Sequence, residues 1–210
     1  MLTESNDDHC PRGFTGVHSA PRADTRAGGR WVSIWSRLPI LRTIPVVDDN
    51  RSVAALIDTP LGRTVVFGTV VPWHSDRGEP PSDPPARNWQ EQYRVTPLLG
   101  QAWRHLREAF PDDRLCVAGD LNMNLGGPHV YGTAQGRRLF TEAMARAGLA
   151  CLTHFDRIPA GMLEHGMIDH VLFNAASAEG SRVVSAWEGR AAGGTILSDH
   201  SGVVVAIQPS

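Results

Sequence analysis

The stretch LCVAGDLN, residues 115–122, is the part of the sequence most informative about the fold, because an apolar run that predicts a buried strand ends there in two polar side chains. In extended geometry, Asp120 and Asn122 point to the same side of the chain. The carboxylate accepts a proton from water or binds a hard cation, and the amide donates to a phosphoryl oxygen. An Asx-rich turn that closes a strand would use the same residues, so this stretch alone leaves both interpretations open.

A second polar cluster, Asp169 and His170, interrupts an apolar run over residues 168–173 that predicts another strand. An unpaired charge inside such a strand would cost several kcal/mol, so a compensating partner is expected. Because neighbouring strand residues point to opposite faces, the two side chains reach one site only across a bulge. We therefore predict that Asp169 faces the site and that His170 is structural.

The third cluster, Ser198-Asp199-His200, precedes the last apolar run, at a loop–strand junction where functional residues gather. A histidine there titrates near neutral pH, or donates to a phosphate when it is charged. The tripeptide has the composition of a serine-hydrolase triad, but no GxSxG elbow occurs in the sequence. A serine hydrolase is therefore disfavoured, whereas a capped turn remains the structural alternative.

Hydrophobic periodicity predicts a mixed α/β or α+β arrangement of roughly seven strands and two helices. The strands are expected at residues 31–35, 52–58, 64–71, 115–118, 168–173, 181–187 and 202–207, with a hairpin joining the second and third. One helix is expected from Trp89, with Pro97 kinking it or marking its regular start, and another over residues 135–147. Residues 5–30 and 72–87 are rich in proline, glycine or charge and predict irregular loops.

Length and composition predict one globular domain over residues 1–210, since 41% hydrophobic content supports one sizeable core. The formal charge of -2 neither supports nor excludes a nucleic-acid substrate, because a local basic patch survives such an average. Three widely spaced cysteines without a CxxC pair disfavour a disulfide framework and a cysteine zinc site. Without a leader or a membrane-spanning apolar run, the sequence predicts a soluble cytoplasmic protein with no evident obligate protein partner.

The basic residues and the histidines disfavour several enzyme classes. All 20 basic residues are arginine, which excludes a Schiff-base lysine, the P-loop lysine and the SxxK nucleophile. Codon bias in a GC-rich genome explains the missing lysine better than function does. The nine histidines show no HxH, HxxxH or HExxH spacing, which disfavours a histidine-based metallohydrolase.

Together, and in this order, the three clusters resemble the C-terminal motifs of the endonuclease/exonuclease/phosphatase superfamily. This superfamily includes apurinic endonucleases, pancreatic-type deoxyribonucleases, neutral sphingomyelinases and inositol-polyphosphate phosphatases. Ser36-Arg37 also resembles the family strand that ends in Ser-Arg, and the resemblance covers nearly the whole chain. It implies a deoxyribonuclease I-like α/β fold, which is a two-sheet sandwich with the site at one rim of the sheets.

The resemblance also implies a metal-dependent phosphoric ester hydrolase. Leu2-Thr3-Glu4 matches a family pattern in which the glutamate binds the metal, so Glu4, with Asp199, is the implied ligand of a Mg²⁺ or Mn²⁺ ion. Water would attack the phosphate in line. The implied catalytic residues are Asp120, which orients and deprotonates that water, Asn122, which fixes the phosphate, Asp169 and His200. Asp169 holds His200, which either donates to a non-bridging phosphate oxygen or acts as acid/base.

Two departures from the family pattern bear on activity. The family normally begins with another strand that carries an asparagine near the metal, and none precedes Glu4. We therefore expect an N-terminally shortened fold, either because the start lies upstream of Met1 or through truncation. Val70 stands where the family often carries a histidine or tyrosine; His74 is a substitute, although a surface-loop histidine is the preferred interpretation. The alternative function is a non-catalytic or weakly active relic that acts as a binding protein.

Several substrate classes fit the resemblance. DNA, RNA, a phospholipid head group and an inositol phosphate are all phosphate esters, and a nuclease-type substrate is slightly preferred. The tryptophans Trp31, Trp35, Trp73 and Trp89 either stack on bases or pack against the core, and packing is the preferred interpretation.

Overall fold

The computed structural model describes residues 1–22, 27–78, 84–127, 131–190 and 193–208. Over these residues the chain forms eleven β-strands and two α-helices. The strands are β1 (Leu2–Asn6), β2 (Thr15–His18), β3 (Gly29–Ser36), β4 (Ile40–Ile44), β5 (Ser52–Thr59), β6 (Gly62–Val70), β7 (Arg114–Asp120), β8 (Leu149–Cys151), β9 (Asp169–Asn174), β10 (Arg182–Trp187) and β11 (Gly202–Ala206). The helices are α1 (Gln90–Ala109) and α2 (Ala134–Arg146). None of the described helices is long and apolar enough to cross a bilayer.

A six-stranded sheet forms the centre of the fold, in the order β4-β5-β6-β7-β9-β8. The predicted hairpin is confirmed, because β5 and β6 pair antiparallel up to Thr59 and Gly62. β6 and β7 run parallel, so their C-terminal ends meet at the same edge of the sheet. That edge carries Val70 and Asp120, which are partners in the ladder.

Both helices cover one face of the central sheet. Trp103 of α1 and Phe140 of α2 are fully buried there, in one cluster with Val65 and Phe67 of β6. α1 runs through Pro97 and begins at Gln90, so the proline does not mark the start of the regular helix. The buried apolar face of the helix outweighs the loss of one backbone hydrogen bond at the proline.

The opposite face of the central sheet is covered by two smaller sheets. β1, β3 and β2 form one of them, and Val32 and Ile34 of β3 pack there with Val53 of β5. β10 and β11 form the other, and Val205 packs against the cluster that contains Phe173 of β9. The predicted two-sheet α/β sandwich is confirmed, with its second layer divided into two sheets.

Residues 5–30 hold more regular structure than the sequence predicted. The last two residues of β1 and all of β2 lie in this segment, and the two strands flank β3 on either side as antiparallel neighbours. Both strands are short and rich in polar residues, so they lack a clear apolar alternation. Their extended geometry comes from pairing with β3, which buries Trp31 and Val32. β4 and β8 were not predicted either, whereas the described parts of residues 72–87 contain no helix or strand, as expected. Residues 23–26 and 79–83 of the two predicted loops lie outside the described residues.

Gly119 is expected to tolerate no side chain. Its φ of +144° lies where L-residues are strained, and an added Cβ would overlap the carbonyl oxygen of Thr69 on β6. Gly119→Ala should therefore lower the free energy of unfolding by about 2–5 kcal/mol, measured by urea denaturation. Gly161→Ala is the control, because Gly161 has a φ of +78° but no atom lies within 4 Å of an added Cβ. Equal losses in the two variants would contradict the steric explanation.

Candidate active site

A cleft of about 470 Å³ lies at the edge of the central sheet where β7 ends. It brings together residues from the first strand, the β6–α1 connection, the β7–α2 connection and the loop before β11. The lining residues are Glu4, Arg22, Trp31, Trp73, Asp120, Asn122, Tyr131, Ile168, Asp199 and His200. Five of the six residues predicted for the site therefore line one cleft, and the sixth, Asp169, contacts it through His200.

Asp120 and Asn122 form a tight turn at the end of β7. Asn122 has a left-handed φ of +48°, and its backbone N–H donates to Asp120 Oδ1 at 2.8 Å. Its side-chain Nδ2 donates to Asp120 Oδ2 at 2.7 Å and to the carbonyl oxygen of Val71 at 3.0 Å. Both oxygens of the buried Asp120 carboxylate are thus held in place, and both amide hydrogens of Asn122 are in use.

Asp169 and His200 form an ion pair beside this turn. His200 Nδ1 donates to Asp169 Oδ2 at 2.7 Å, and Asp169 is the ladder partner of Asp120 across β7 and β9. One ligand atom from each of Asp120, Asp169 and His200 lies within 4.8 Å of the others. Two strands and a loop that are far apart in the sequence therefore place two carboxylates and an imidazole around one point.

The pKa values of Asp120 and His200 are shifted in ways that suit acid–base chemistry. Burial, reinforced by the Asp169 carboxylate, raises the pKa of Asp120 to about 7. The hydrogen bond that His200 donates to Asp169 raises the pKa of His200 to about 9. At pH 8, Asp120 is therefore mostly a carboxylate that accepts a proton, while His200 is mostly an imidazolium that donates one.

His170 lies on the other side of β9 and takes no part in the cleft. Its Nε2 donates to the carbonyl oxygen of Met123 at 2.9 Å, and its Nδ1 is 3.1 Å from the Thr153 hydroxyl. Complete burial lowers its pKa to about 4, so it is neutral at physiological pH. Asp169 thus lies beside His200 and Asp120, whereas His170 holds the strand against the loop that follows Asn122.

Glu4 and Asp199, the predicted metal ligands, lie at the open side of the cleft. The β1–β3 ladder pairs Thr3 with Val32 and Ser5 with Arg30, which sets Glu4 opposite Trp31. Glu4 has a left-handed φ of +47°, and its carboxylate lies 3.6 Å from the Arg22 guanidinium. Both acidic side chains are exposed, and neither belongs to the close group formed by Asp120, Asp169 and His200.

Five cleft residues were not assigned to the site from the sequence, namely Arg22, Trp31, Trp73, Tyr131 and Ile168. Arg22 falls in a predicted loop and Tyr131 in an unassigned connection, so no periodic signal marked either of them. Trp31 and Trp73 were expected to pack, and they do pack against each other with ring centroids 5.5 Å apart, but they also line the cleft. The position of Trp73, just after the end of a predicted strand, is the one sequence feature that could have placed it in the cleft.

Two further predictions concern the region around β6. Val70 is buried between the sheets, as its apolar side chain requires. His74 is exposed and packs edge-on against Trp89, with ring centroids 5.4 Å apart. His74 does not line the cleft, which supports the surface-loop interpretation.

Comparison with known proteins was made at the level of sequence and of structure. No protein-family model and no curated protein matches the sequence. The fold is similar to that of the 3′ phosphatase NExo from Neisseria, with 17% identity, a TM-score of 0.64 and coverage of 98% of this chain and 86% of that chain. The chain has the deoxyribonuclease I-like fold. Two further structures with this fold are the endonuclease domain of TRAS1, a telomere-specific non-LTR retrotransposon, and sphingomyelinase C from Streptomyces griseocarneus.

These two similarities are also structural rather than sequence-based. The TRAS1 domain is 19% identical, with a TM-score of 0.59 and coverage of 94% of this chain and 81% of that chain. The sphingomyelinase is 17% identical, with a TM-score of 0.53 and coverage of 88% and 70%. In this deoxyribonuclease I-like fold, the three polar clusters of the sequence converge on one rim of the central sheet.

Proposed function

We propose that the chain hydrolyses phosphate esters by in-line attack of water, assisted by a Mg²⁺ or Mn²⁺ ion. The observation that carries this proposal is the convergence of Asp120 with the Asp169–His200 pair in one cleft. A base for the attacking water and an acid that donates to a phosphoryl or leaving-group oxygen both assist phosphoester hydrolysis. The similarity to an endonuclease, a 3′ phosphatase and a sphingomyelinase supports the same class of reaction.

The acidic residues of the cleft fit a divalent cation. The raised pKa of Asp120 reflects burial together with repulsion from Asp169 and Glu4. A shift from 3.8 to about 7 corresponds to roughly 4 kcal/mol that disfavours the charged carboxylate. Carboxylate oxygens are the ligands that Mg²⁺ prefers, so Glu4 and Asp199 would hold the ion. When bound, the ion neutralises charge that develops on the phosphoryl oxygens and on the leaving group.

Asp120 acts as the base in this proposal. Its carboxylate is fixed by two hydrogen bonds from Asn122, so its remaining lone pairs point in defined directions. It orients the attacking water and accepts the proton that the water loses. Asn122 contributes by holding Asp120. To donate to the phosphate, its Nδ2 would have to give up the hydrogen bond to the Val71 carbonyl oxygen.

His200 acts as the donor. Asp169 engages Nδ1, which leaves Nε2–H as the donor towards a non-bridging oxygen or the leaving group. Because the pKa of His200 is raised to about 9, the imidazolium persists across the neutral range. Asp169 thus keeps His200 charged and fixes the orientation of its ring.

Metal dependence tests the proposal. EDTA should abolish hydrolysis of a generic phosphodiester, and Mg²⁺ or Mn²⁺ should restore it. The ion should also raise the melting temperature, because a ligand at about 100 times its Kd stabilises the folded state by about 2.7 kcal/mol. Glu4→Gln with Asp199→Asn should lose this rise, whereas Asp58→Asn, an exposed carboxylate on β5, should keep it.

The same titration separates the enzyme from the alternative function. A non-catalytic relic with a broken site would show no metal-linked rise in melting temperature and no hydrolysis with either ion. Val70 motivates this alternative, because it stands where the family often carries a histidine or tyrosine. A branched aliphatic side chain cannot donate a hydrogen bond to a phosphate. A metal-linked rise in melting temperature together with hydrolysis would rule the relic out. If Mg²⁺ and Mn²⁺ both fail to raise the melting temperature and to support hydrolysis, the proposed function is overturned.

A further inference from the structure

The cleft has an aromatic wall, formed by Trp31, Trp73 and Tyr131, beside its acid–base residues. Trp73 and Tyr131 are half-buried, so part of each ring faces solvent, whereas Trp31 is buried. Hydrolysis of the phosphate itself makes no use of these rings. They are therefore available to bind the part of a substrate that flanks the phosphate.

Trp73 follows a strand end that is hydrogen-bonded to Asp120, the proposed base. Val71, two residues before it, donates its N–H to the Asp120 carbonyl oxygen at 2.8 Å. The Val71 carbonyl accepts from Asn122 Nδ2 at 3.0 Å. These two hydrogen bonds fix the strand end that carries Trp73 relative to Asp120.

Tyr131 is held by a pair of hydrogen bonds to Asn124, in the loop that follows Asn122. Its N–H donates to Asn124 Oδ1 at 2.5 Å, and its carbonyl oxygen accepts from the Asn124 N–H at 3.3 Å. Trp89 packs edge-on against the ring, with centroids 5.1 Å apart. The Tyr131 hydroxyl also accepts from the His74 N–H at 3.4 Å, next to Trp73. Trp73 and Tyr131 are thus held at defined positions beside the acid–base residues.

Two arginines, each paired with a carboxylate, pack against the tryptophans of the aromatic wall. Arg22 lies over Trp31 at 3.6 Å from the ring centroid. Arg51 lies behind both tryptophans, at 5.7 Å from Trp31 and 5.4 Å from Trp73, and forms a buried ion pair with Asp76. Guanidinium groups already occupy a face of each tryptophan ring, so those faces are not open to the cation–π contact that binds a quaternary ammonium such as choline. A neutral planar ring that is attached to a phosphate does not depend on that contact.

We infer that Trp73 and Tyr131 bind an unpaired nucleobase next to the attacked phosphate, which makes the substrate a nucleotide ester in a single strand. This inference rests on the proposed hydrolysis and names its substrate class. Stacking suits the wall because every base has a planar face and the rings are already fixed. A base within a duplex is stacked on its neighbours and reaches the rings only after it leaves the helix.

The test compares two substrates that differ only in their bases. One is a short oligothymidylate, and the other is an oligomer of the same length built from base-free tetrahydrofuran phosphates. The wild-type kcat/KM should favour the oligothymidylate by about 5- to 150-fold, the range expected for one stacked base. Trp73→Leu and Tyr131→Leu should reduce this preference to within about threefold, because leucine keeps apolar bulk but cannot stack.

Matched variants separate stacking from folding. Trp73→Phe and Tyr131→Phe keep a ring and should retain most of the preference. Trp187→Leu replaces an exposed tryptophan that does not line the cleft, and it should leave the preference for oligothymidylate unchanged. A wild-type ratio near one, a preference that survives both leucine variants, or faster hydrolysis of sphingomyelin than of oligothymidylate would overturn the inference.

A binding measurement distinguishes failure of this inference from failure of the proposed function. Fluorescence anisotropy of the labelled oligomers, with the His200→Ala variant in Mg²⁺, reports affinity without turnover. Tighter binding of oligothymidylate that is lost in Trp73→Leu supports the base site even if the wild type hydrolyses neither oligomer. Equal affinity for the two oligomers overturns the base site even if hydrolysis is normal.

Discussion

Replacing Asp120 by asparagine is expected to lower kcat for phosphodiester hydrolysis by about 10²- to 10⁴-fold, the usual contribution of a general base. An amide cannot accept the proton from the attacking water, and it is neutral at every pH. The rate is measured with saturating Mg²⁺ or Mn²⁺ on an oligothymidylate and on bis-p-nitrophenyl phosphate. Both substrates should slow equally, because the base acts on the water rather than on the leaving group.

The control for this prediction lies at the other end of β7. Asp113 is a buried carboxylate paired with Arg63 just before the strand begins, far along the strand from the cleft. Asp113→Asn should lower the melting temperature but leave kcat within about threefold of wild type, because the change does not reach the acid–base groups. A folded Asp120→Asn protein with a near-wild-type rate would remove Asp120 from the proposed mechanism.

Asp169→Asn is expected to cut the rate most at alkaline pH. Without the carboxylate, the pKa of His200 falls from about 9 towards its ordinary value of 6.5. At pH 8 the protonated fraction then drops by roughly 30-fold, whereas below pH 6 the change is small because both proteins are protonated. A pH–rate profile from pH 5.5 to 9.5 measures this directly. A parallel loss at all pH values would indicate that Asp169 only orients the ring.

Asp169→Asn should lower the free energy of unfolding mainly at acidic pH, whereas it lowers the rate mainly at alkaline pH. Because the folded pKa of His200 is raised, the Asp169–His200 pair stabilises the fold fully below pH 6.5, and this contribution is lost as pH rises through about 9. Asp169→Asn should therefore cost up to about 3 kcal/mol near pH 6 and little near pH 9.5. Asp156→Asn removes the partner of His154, in a pair outside the cleft, and should change neither profile.

The sequence by itself determined the elements whose signals are local. Continuous apolar, β-branched runs marked β5 and β6, and the turn between them placed the hairpin, because the register of a hairpin depends on adjacent residues. The polar residues at the ends of β7 and β9 were also visible, since an unpaired charge in an apolar run needs a reason. Strand alternation alone indicated that Asp169 and His170 point to opposite faces, so only one of them reaches the site without a bulge.

The tertiary structure decided everything that depends on pairing between distant segments. β1 and β2 are strands because β3 supplies their partners, and their own polar sequences do not alternate. That Asp120 faces Asp169, and that the Asp169–His200 pair forms, depends on cross-strand register and on a loop 31 residues away. Hydrophobic periodicity carries no information about such register, so it showed which residues were polar at strand ends but not which of them meet.

The same reason explains the aromatic wall and the role of Asn122. Trp73 and Tyr131 belong to connections without a periodic signal, and long-range hydrogen bonds of Val71 and Asn124, together with ring packing, bring them to the cleft. Asn122 was assigned to the phosphate because its amide is a good donor, yet folding commits both amide hydrogens to Asp120 and Val71. Residue type determined which chemistry was available, and long-range packing decided which groups remained free to perform it.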